Sequence, residues 1–206
     1  MFSHVRWSMP MKRGVATTFA ALLVFTPAIA LAHPGHDGTT GLLHGLMHPV
    51  TGIDHIFAMV AVGLLAAQYS GWTRWLLPIG FLVVMAIAGS IGMAGIHLPV
   101  VEIGIALSVA VLGLAIAFQI RPPTVVALTA VTVFALFHGY AHGAETPDGT
   151  GGLSFAAGFL VATSFLLGLG VGTGLFLQRQ TLGPRLIQAG GGVMALVGIA
   201  TLASLF

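Results

Sequence analysis

Three histidines and an aspartate lie close together in the segment 44–55: His44, His48, Asp54 and His55. On a regular helix, His48 and His55 would project from one face two turns apart, with His44 one turn before them. Asp54 could reach the same cavity or accept a hydrogen bond from an imidazole N–H. Imidazole and carboxylate together are the ligands of borderline divalent metals. The segment therefore predicts a metal site.

The backbone of the same segment is interrupted by Pro49 and Gly52. These residues predict a kinked or partly unwound helix. Irregular backbone is tolerated inside a membrane only where it lines a polar cavity or is buried in protein. We therefore expect the break to lie at the site and to free carbonyl oxygens for a cation.

A second ionisable set comprises His138, His142 and Glu145, which follow one stripe of a helix if that helix continues to residue 145. Two imidazoles one turn apart form a chelating pair for a divalent metal. Glu102 is a further candidate ligand. His33 and His36 are others, because both follow a predicted cleavage point and the new α-amine could join His33 in chelation. His97 is more typical of an interfacial polar residue.

The composition indicates what must position these groups. Of 206 residues, 57% are hydrophobic and 6% charged, and the mean hydropathy is +1.03. A soluble domain carries about 25% charged residues, so the chain is predicted to be an all-α membrane protein in a lipid bilayer. It has no cysteine, which excludes disulfides and thiolate sites, and one lysine, which leaves no basic patch for nucleic acid.

Residues 1–32 are predicted to be a secretory signal peptide. Basic residues precede an apolar run that ends in Ala30-Leu31-Ala32, a pattern typical of cleavage after Ala32. An uncleaved first transmembrane helix is the alternative. Residues 33–206, the predicted transmembrane domain, hold four arginines, all five acids and eight histidines, a formal charge of −1.

The apolar runs predict a bundle of six transmembrane helices, at about 42–68, 75–95, 98–119, 123–143, 152–177 and 183–205. Six spans put both mature termini in the periplasm after export, with the chain in the inner membrane. The loops then predicted to be cytoplasmic contain Arg74, Arg121, Arg179 and Arg185, the full set of arginines beyond residue 32, as the positive-inside rule requires. This topology places both histidine sets and Glu102 in the exported half of the bundle.

The sequence resembles the HupE/UreJ family of nickel/cobalt permeases over essentially the whole mature chain. Two motifs carry the resemblance: His48-Pro49-x-x-Gly52-x-Asp54-His55, and Phe137-His138-Gly139-x-Ala141-His142-Gly143-x-Glu145. Glu102 opening the third span also fits. The resemblance implies a six-helix secondary permease for Ni²⁺, in some members Co²⁺, that often supplies hydrogenase or urease. Its signature residues correspond here to His48, Asp54, His55, His138, His142 and Glu145.

The favoured hypothesis is a non-enzymatic permease that moves Ni²⁺ or Co²⁺, with Zn²⁺ a further candidate, from periplasm to cytoplasm and carries no prosthetic group. A membrane redox protein with haem between His55 and His142 is one alternative. A metal sensor or storage protein without flux is another, and an intramembrane metalloenzyme ranks last because no HExxH segment is present. The oligomeric state stays open, a homo-oligomer included.

Overall fold

The computed structural model describes residues 38–146 and 151–206, and this part of the chain is helical throughout apart from its connections. Its helices are α1 (Gly38–Thr51), α2 (Ile53–Ala67), α3 (Thr73–Met93), α4 (Val101–Ala117), α5 (Thr124–Ala144), α6 (Gly152–Leu177) and α7 (Gly183–Ala203). The five later helices lie within a few residues of the predicted runs. The predicted signal peptide, His33 and His36 lie outside the described residues.

The first predicted span is two helices rather than one. α1 and α2 are bent by 82° at their break, where Gly52 has extended backbone torsions. Pro49 remains inside α1, so the break that the sequence predicted falls at the glycine. As a result α1 packs mainly against α6, whereas α2 packs against α6, α4 and α3.

Four of the described helices, α3, α5, α6 and α7, are long and apolar enough to cross a membrane. The α1–α2 pair would form a fifth span if counted together, and α4 is a shorter apolar helix of 17 residues. Large apolar side chains such as Trp72, Val125 and Phe165 are mostly exposed on the outer surface. Such a surface is matched to lipid, so the fold is that of a multi-pass membrane protein.

Glycines set the closest helix pairings, α3 with α5 and α4 with α7. A methyl group on Gly143 would meet the backbone of Gly89, and one on Gly113 would meet the backbone of Ala195. Small residues let lipid-embedded helices approach until backbones touch. Glycine therefore permits the close contact of these helix pairs, whereas Gly168 and Gly172 face open space.

The arginine-bearing loops are joined to one another at one end of the bundle. The Tyr69 hydroxyl donates to the Pro122 carbonyl oxygen at 2.6 Å, and the Arg74 guanidinium donates twice to the Tyr69 carbonyl oxygen. The Gln178 amide donates to the Ala67 carbonyl oxygen at 3.2 Å. The core next to this end is apolar and tightly closed, and its fully buried side chains include Met59, Val62, Leu77, Phe81 and Val131.

The glycine triplet of α7 offers a direct test of this packing. A Cβ on Gly191 would lie 2.5 Å from the Ala117 nitrogen, whereas Gly190 and Gly192 have nothing within 4 Å. We predict that Gly191→Ala lowers the free energy of unfolding by about 1–3 kcal/mol, because α4 and α7 must separate. Thermal unfolding of the detergent-solubilised protein measures this change.

Gly190→Ala and Gly192→Ala are the matched controls, because all three substitutions gain the same helix propensity. Equal melting temperatures for the three variants would contradict the close contact between α4 and α7.

Candidate metal site

The break at Gly52 sets His48 and His55 on different helices. His48 lies near the end of α1, and His55 lies in the first turn of α2. The prediction that the two share one helical face is therefore wrong, because the bend replaces the regular helix on which it depended. Both imidazoles nevertheless contact the same residue, His142: the ring centroids lie 4.8 Å away for His48 and 4.2 Å away for His55.

Gly52 also provides the space in which an Asp–His pair forms. A Cβ at this position would lie 2.8 Å from Asp54 Oδ1 and 2.9 Å from His55 Nδ1. Any larger residue would displace one of these atoms. The glycine thus leaves room for the side chains that follow it.

Helix α5 continues to Ala144, so His138 and His142 lie one turn apart on one stripe, as predicted, with Glu145 directly after the helix. The adjacent stripe of α5 is small: Gly139 packs on the backbone of Met85, and Gly143 on that of Gly89. Because α5 approaches α3 so closely there, its histidine stripe is held toward α1, α2 and α4.

Two groups of side chains in the described residues have ligand atoms close enough to share an ion. The inner group is His55, His138 and His142, and the outer group is His48, His142 and Glu145. Within each group the ligand atoms lie within 4.8 Å of one another. His142 belongs to both. The structure therefore brings together five of the ten predicted ligands.

The inner group is notable for buried nitrogens that lack partners. Within the described part of the chain, His55 Nε2, His138 Nδ1 and both ring nitrogens of His142 accept or donate no hydrogen bond. Buried polar atoms are almost always paired, because leaving one unpaired costs about 1–3 kcal/mol. Unpaired imidazole nitrogens aimed at one another are the arrangement that a bound cation would satisfy.

Asp54 orients His55. Its Oδ1 accepts hydrogen bonds from His55 Nδ1–H at 2.8 Å and from the His55 backbone N–H at 2.9 Å. With its proton on Nδ1, His55 presents the lone pair of Nε2 to the inner group. Asp54 itself is in neither group, so of the two roles expected from the sequence it takes that of acceptor for an imidazole N–H.

Ser108 orients His138 in the same way, and sequence reasoning missed it. Its hydroxyl, fully buried on α4, donates to the Ile105 carbonyl oxygen at 2.6 Å and lies 2.8 Å from His138 Nε2. A hydroxyl has one hydrogen, so the serine oxygen accepts from His138 Nε2–H. The lone pair of His138 Nδ1 is then left for the inner group. Apart from Glu102 in its first turn, Ser108 is the polar residue of an apolar helix, and that was the available signal.

The outer group is more open and carries a carboxylate. His48 Nε2–H donates to Glu145 Oε2 at 3.0 Å, and the exposed fractions of these side chains are 26% and 57%. This hydrogen bond holds the pKa of the Glu145 carboxyl below its ordinary value. Glu145 is therefore ionised at neutral pH. A cavity of about 170 Å³ between α3, α5 and α6 also adjoins His142.

Several predicted ligands lie apart from both groups. His44 and Glu102 are exposed side chains on α1 and at the start of α4. Two carbonyls near the break are already occupied, since the His48 oxygen accepts from the Thr51 hydroxyl and the Gly52 oxygen accepts from the Ile56 N–H. The two groups themselves are made of side chains.

Comparisons with known proteins agree with the resemblance found in the motifs. A sequence model of the family described as HupE / UreJ protein matches residues 20–201. The chain is 46% identical over 190 residues to Protein HupE of Rhizobium leguminosarum bv. viciae. The aligned region covers 91% of this chain and 96% of that protein. No solved structure matches.

The hydrogen bond of Ser108 generates a prediction. We expect Ser108→Ala to weaken binding of Co²⁺, used as a spectroscopic probe, by about 10- to 100-fold, the usual cost of removing a group that orients a ligand. Without the serine oxygen, His138 is free to carry its proton on Nδ1. Equilibrium dialysis of the purified protein measures the affinity.

Ser164→Ala is the matched control, because Ser164 is exposed and bonds only to the Leu160 carbonyl oxygen of its own helix in the described structure. If Ser108→Ala and Ser164→Ala bind Co²⁺ equally tightly, the serine does not orient His138 for a ligand.

Proposed function

Because this chain belongs to the HupE/UreJ family, we propose that it is a secondary permease that carries Ni²⁺ or Co²⁺ from the periplasm to the cytoplasm. The observation that supports the proposal most strongly is the inner group: three imidazoles with unpaired nitrogens, buried where a broken helix meets an apolar bundle. An ionisable cluster at such a place is costly unless it is used.

The ligands favour transition metals over the abundant hard cations. Both groups contain mainly imidazoles, and Glu145 supplies the one carboxylate that is a direct ligand. Ca²⁺ and Mg²⁺ prefer sites built wholly from oxygen, whereas imidazole suits Ni²⁺, Co²⁺ and Zn²⁺. The absence of cysteine from the sequence removes the thiolates that would hold such an ion too tightly for release.

The topology proposed from the sequence gives the direction of transport. With six spans and the arginine loops in the cytoplasm, the histidine site lies in the exported half, and both mature termini lie in the periplasm. His33 and His36 would then capture the ion before it reaches the outer group. The joined arginine loops fit this proposal, since the same end of the bundle holds all of them.

The membrane potential supplies a driving force for this direction. A divalent ion that moves to a negative interior gains about 4.6 kcal/mol per 100 mV, twice the value for one charge. The sequence contains no GxxxxGK[ST] segment for ATP. Binding also requires neutral imidazoles, which is the state in which His55 and His138 each present one lone pair to the inner group.

The geometry disfavours the haem alternative. An iron porphyrin held by two histidines needs the whole macrocycle between their rings. The His55 and His142 rings are instead in edge contact, with centroids 4.2 Å apart. A storage protein would use the same ligands as a permease, and therefore flux is the measurement that separates those two functions.

We predict that His55→Ala and His138→Ala each abolish uptake of Ni²⁺ and Co²⁺ by cells that express the protein, because each removes one of three inner ligands. Accumulation of the radioactive ions over time measures this. His97→Ala is the matched control, since His97 is exposed in the α3–α4 connection, and it should accumulate metal at the wild-type rate.

If the His55→Ala and His138→Ala variants accumulate metal at the wild-type rate when expression is equal, the inner group does not lie on the transport path. Metal bound by the purified wild-type protein without any uptake in cells would favour storage.

Orientation can be tested separately, because the chain has no cysteine. We predict that His97→Cys is labelled in intact spheroplasts by a thiol reagent that does not cross membranes, and that Ser70→Cys is labelled only after lysis. Both positions are exposed in the structure. The reverse pattern would invert the proposed topology and the direction of transport.

A further inference from the structure

We propose that the outer and inner groups are two successive sites for one ion, which passes from the first to the second while His142 remains available to both. This inference rests on the proposed permease function. It adds to that function an order of ligand exchange.

Exposure falls steadily from one group to the other. In the outer group the exposed fractions are 57% for Glu145 and 26% for His48. In the inner group they are 14% for His55 and 0% for His138, and the shared His142 is 2% exposed. The ion would therefore lose most of its water at the first site and be fully enclosed at the second.

The two groups are separate sets of ligand atoms. Each set lies within 4.8 Å, and no such set includes both His48 and His138. The His142 ring contacts a member of each, with centroids 4.8 Å from His48 and 4.2 Å from His55. The ion must therefore change partners to move inward.

A neutral imidazole has one lone pair, so His142 can serve only one group at a time. Both of its ring nitrogens are buried and unpaired within the described structure, which leaves either one available. As the ion moves, the ring must rotate or its proton must move from one nitrogen to the other. Occupation of one site therefore excludes a second ion from the other.

Charge compensation is similar at the two sites. Glu145 is a direct ligand in the outer group, and Asp54 stands behind His55 in the inner group at 2.8 Å. A divalent ion thus meets one carboxylate at each stage. Once the ion has left the outer group, His48 and Glu145 can return to the hydrogen bond that they form in this structure, which disfavours the ion's return.

Co²⁺ binding to the purified full chain in detergent tests the proposal, with equilibrium dialysis for stoichiometry and visible absorption for the ligand environment. We expect one Co²⁺ per wild-type chain. His48→Ala and Glu145→Gln should retain one ion with one spectrum, that of the inner site. His55→Ala and His138→Ala should retain one ion with a second spectrum, that of the outer site. His142→Ala should lose stoichiometric binding, because both groups include His142.

Circular dichroism and His97→Ala control for folding, and His138→Gln replaces His138→Ala if the alanine variant does not fold. Two Co²⁺ ions per wild-type chain would overturn the proposal. So would equal loss of binding in every folded variant, because that result indicates a single undivided site.

The same variants separate this proposal from the permease function. The inner-group and outer-group variants could give two different spectra while the wild-type protein carries no Co²⁺ into proteoliposomes. That result would contradict the permease function but support the two-site proposal. Alternatively, the wild-type protein could carry Co²⁺ into proteoliposomes and show one spectrum that every ligand variant loses. That result would contradict the two-site proposal but support the permease function.

Discussion

An imidazole lone pair buried in an apolar bundle must have a partner, and most of this structure can be understood from that constraint. His138 and His142 lie among apolar side chains such as Phe81 and Phe159, and their rings are almost inaccessible. Hydrogen bonds to Ser108 and Asp54 fix one nitrogen each on His138 and His55. The ring nitrogens that remain unpaired lie close together between α2 and α5.

Glycine makes this convergence sterically feasible. Close backbone contact between α3 and α5 turns the histidine stripe of α5 inward, and the bend at Gly52 sets on two helices the histidines, His48 and His55, that both contact His142. The chemistry therefore depends on residues without side chains as much as on the ligands. A substitution at such a glycine would move a ligand without touching it.

The helices could be predicted from sequence because hydropathy alone places an apolar run in lipid, and the later helices lie close to the predicted bounds.

The break could be predicted from Gly52, but the 82° bend could not, and for that reason His48 and His55 were placed on one face. His44 is predicted as a ligand from its position one helical turn before His48, and Glu102 from its depth in the bundle. Depth does not say which way a side chain faces, and both are exposed. The bond between Ser108 and His138 joins residues on two spans, so no spacing within either span indicates it.

The closed apolar core that follows the site along α2 affects the rate at which an ion could pass. From His55 to Gln68, α2 runs about 20 Å, and its buried side chains over that distance are apolar, from Ala58 through Val62 to Ala67. A dehydrated divalent ion cannot cross such a layer without a large cost in solvation energy. If the chain is the permease proposed above, an ion at the inner group would have to wait for the helices to rearrange, and its passage would have the turnover of a carrier rather than the current of a channel.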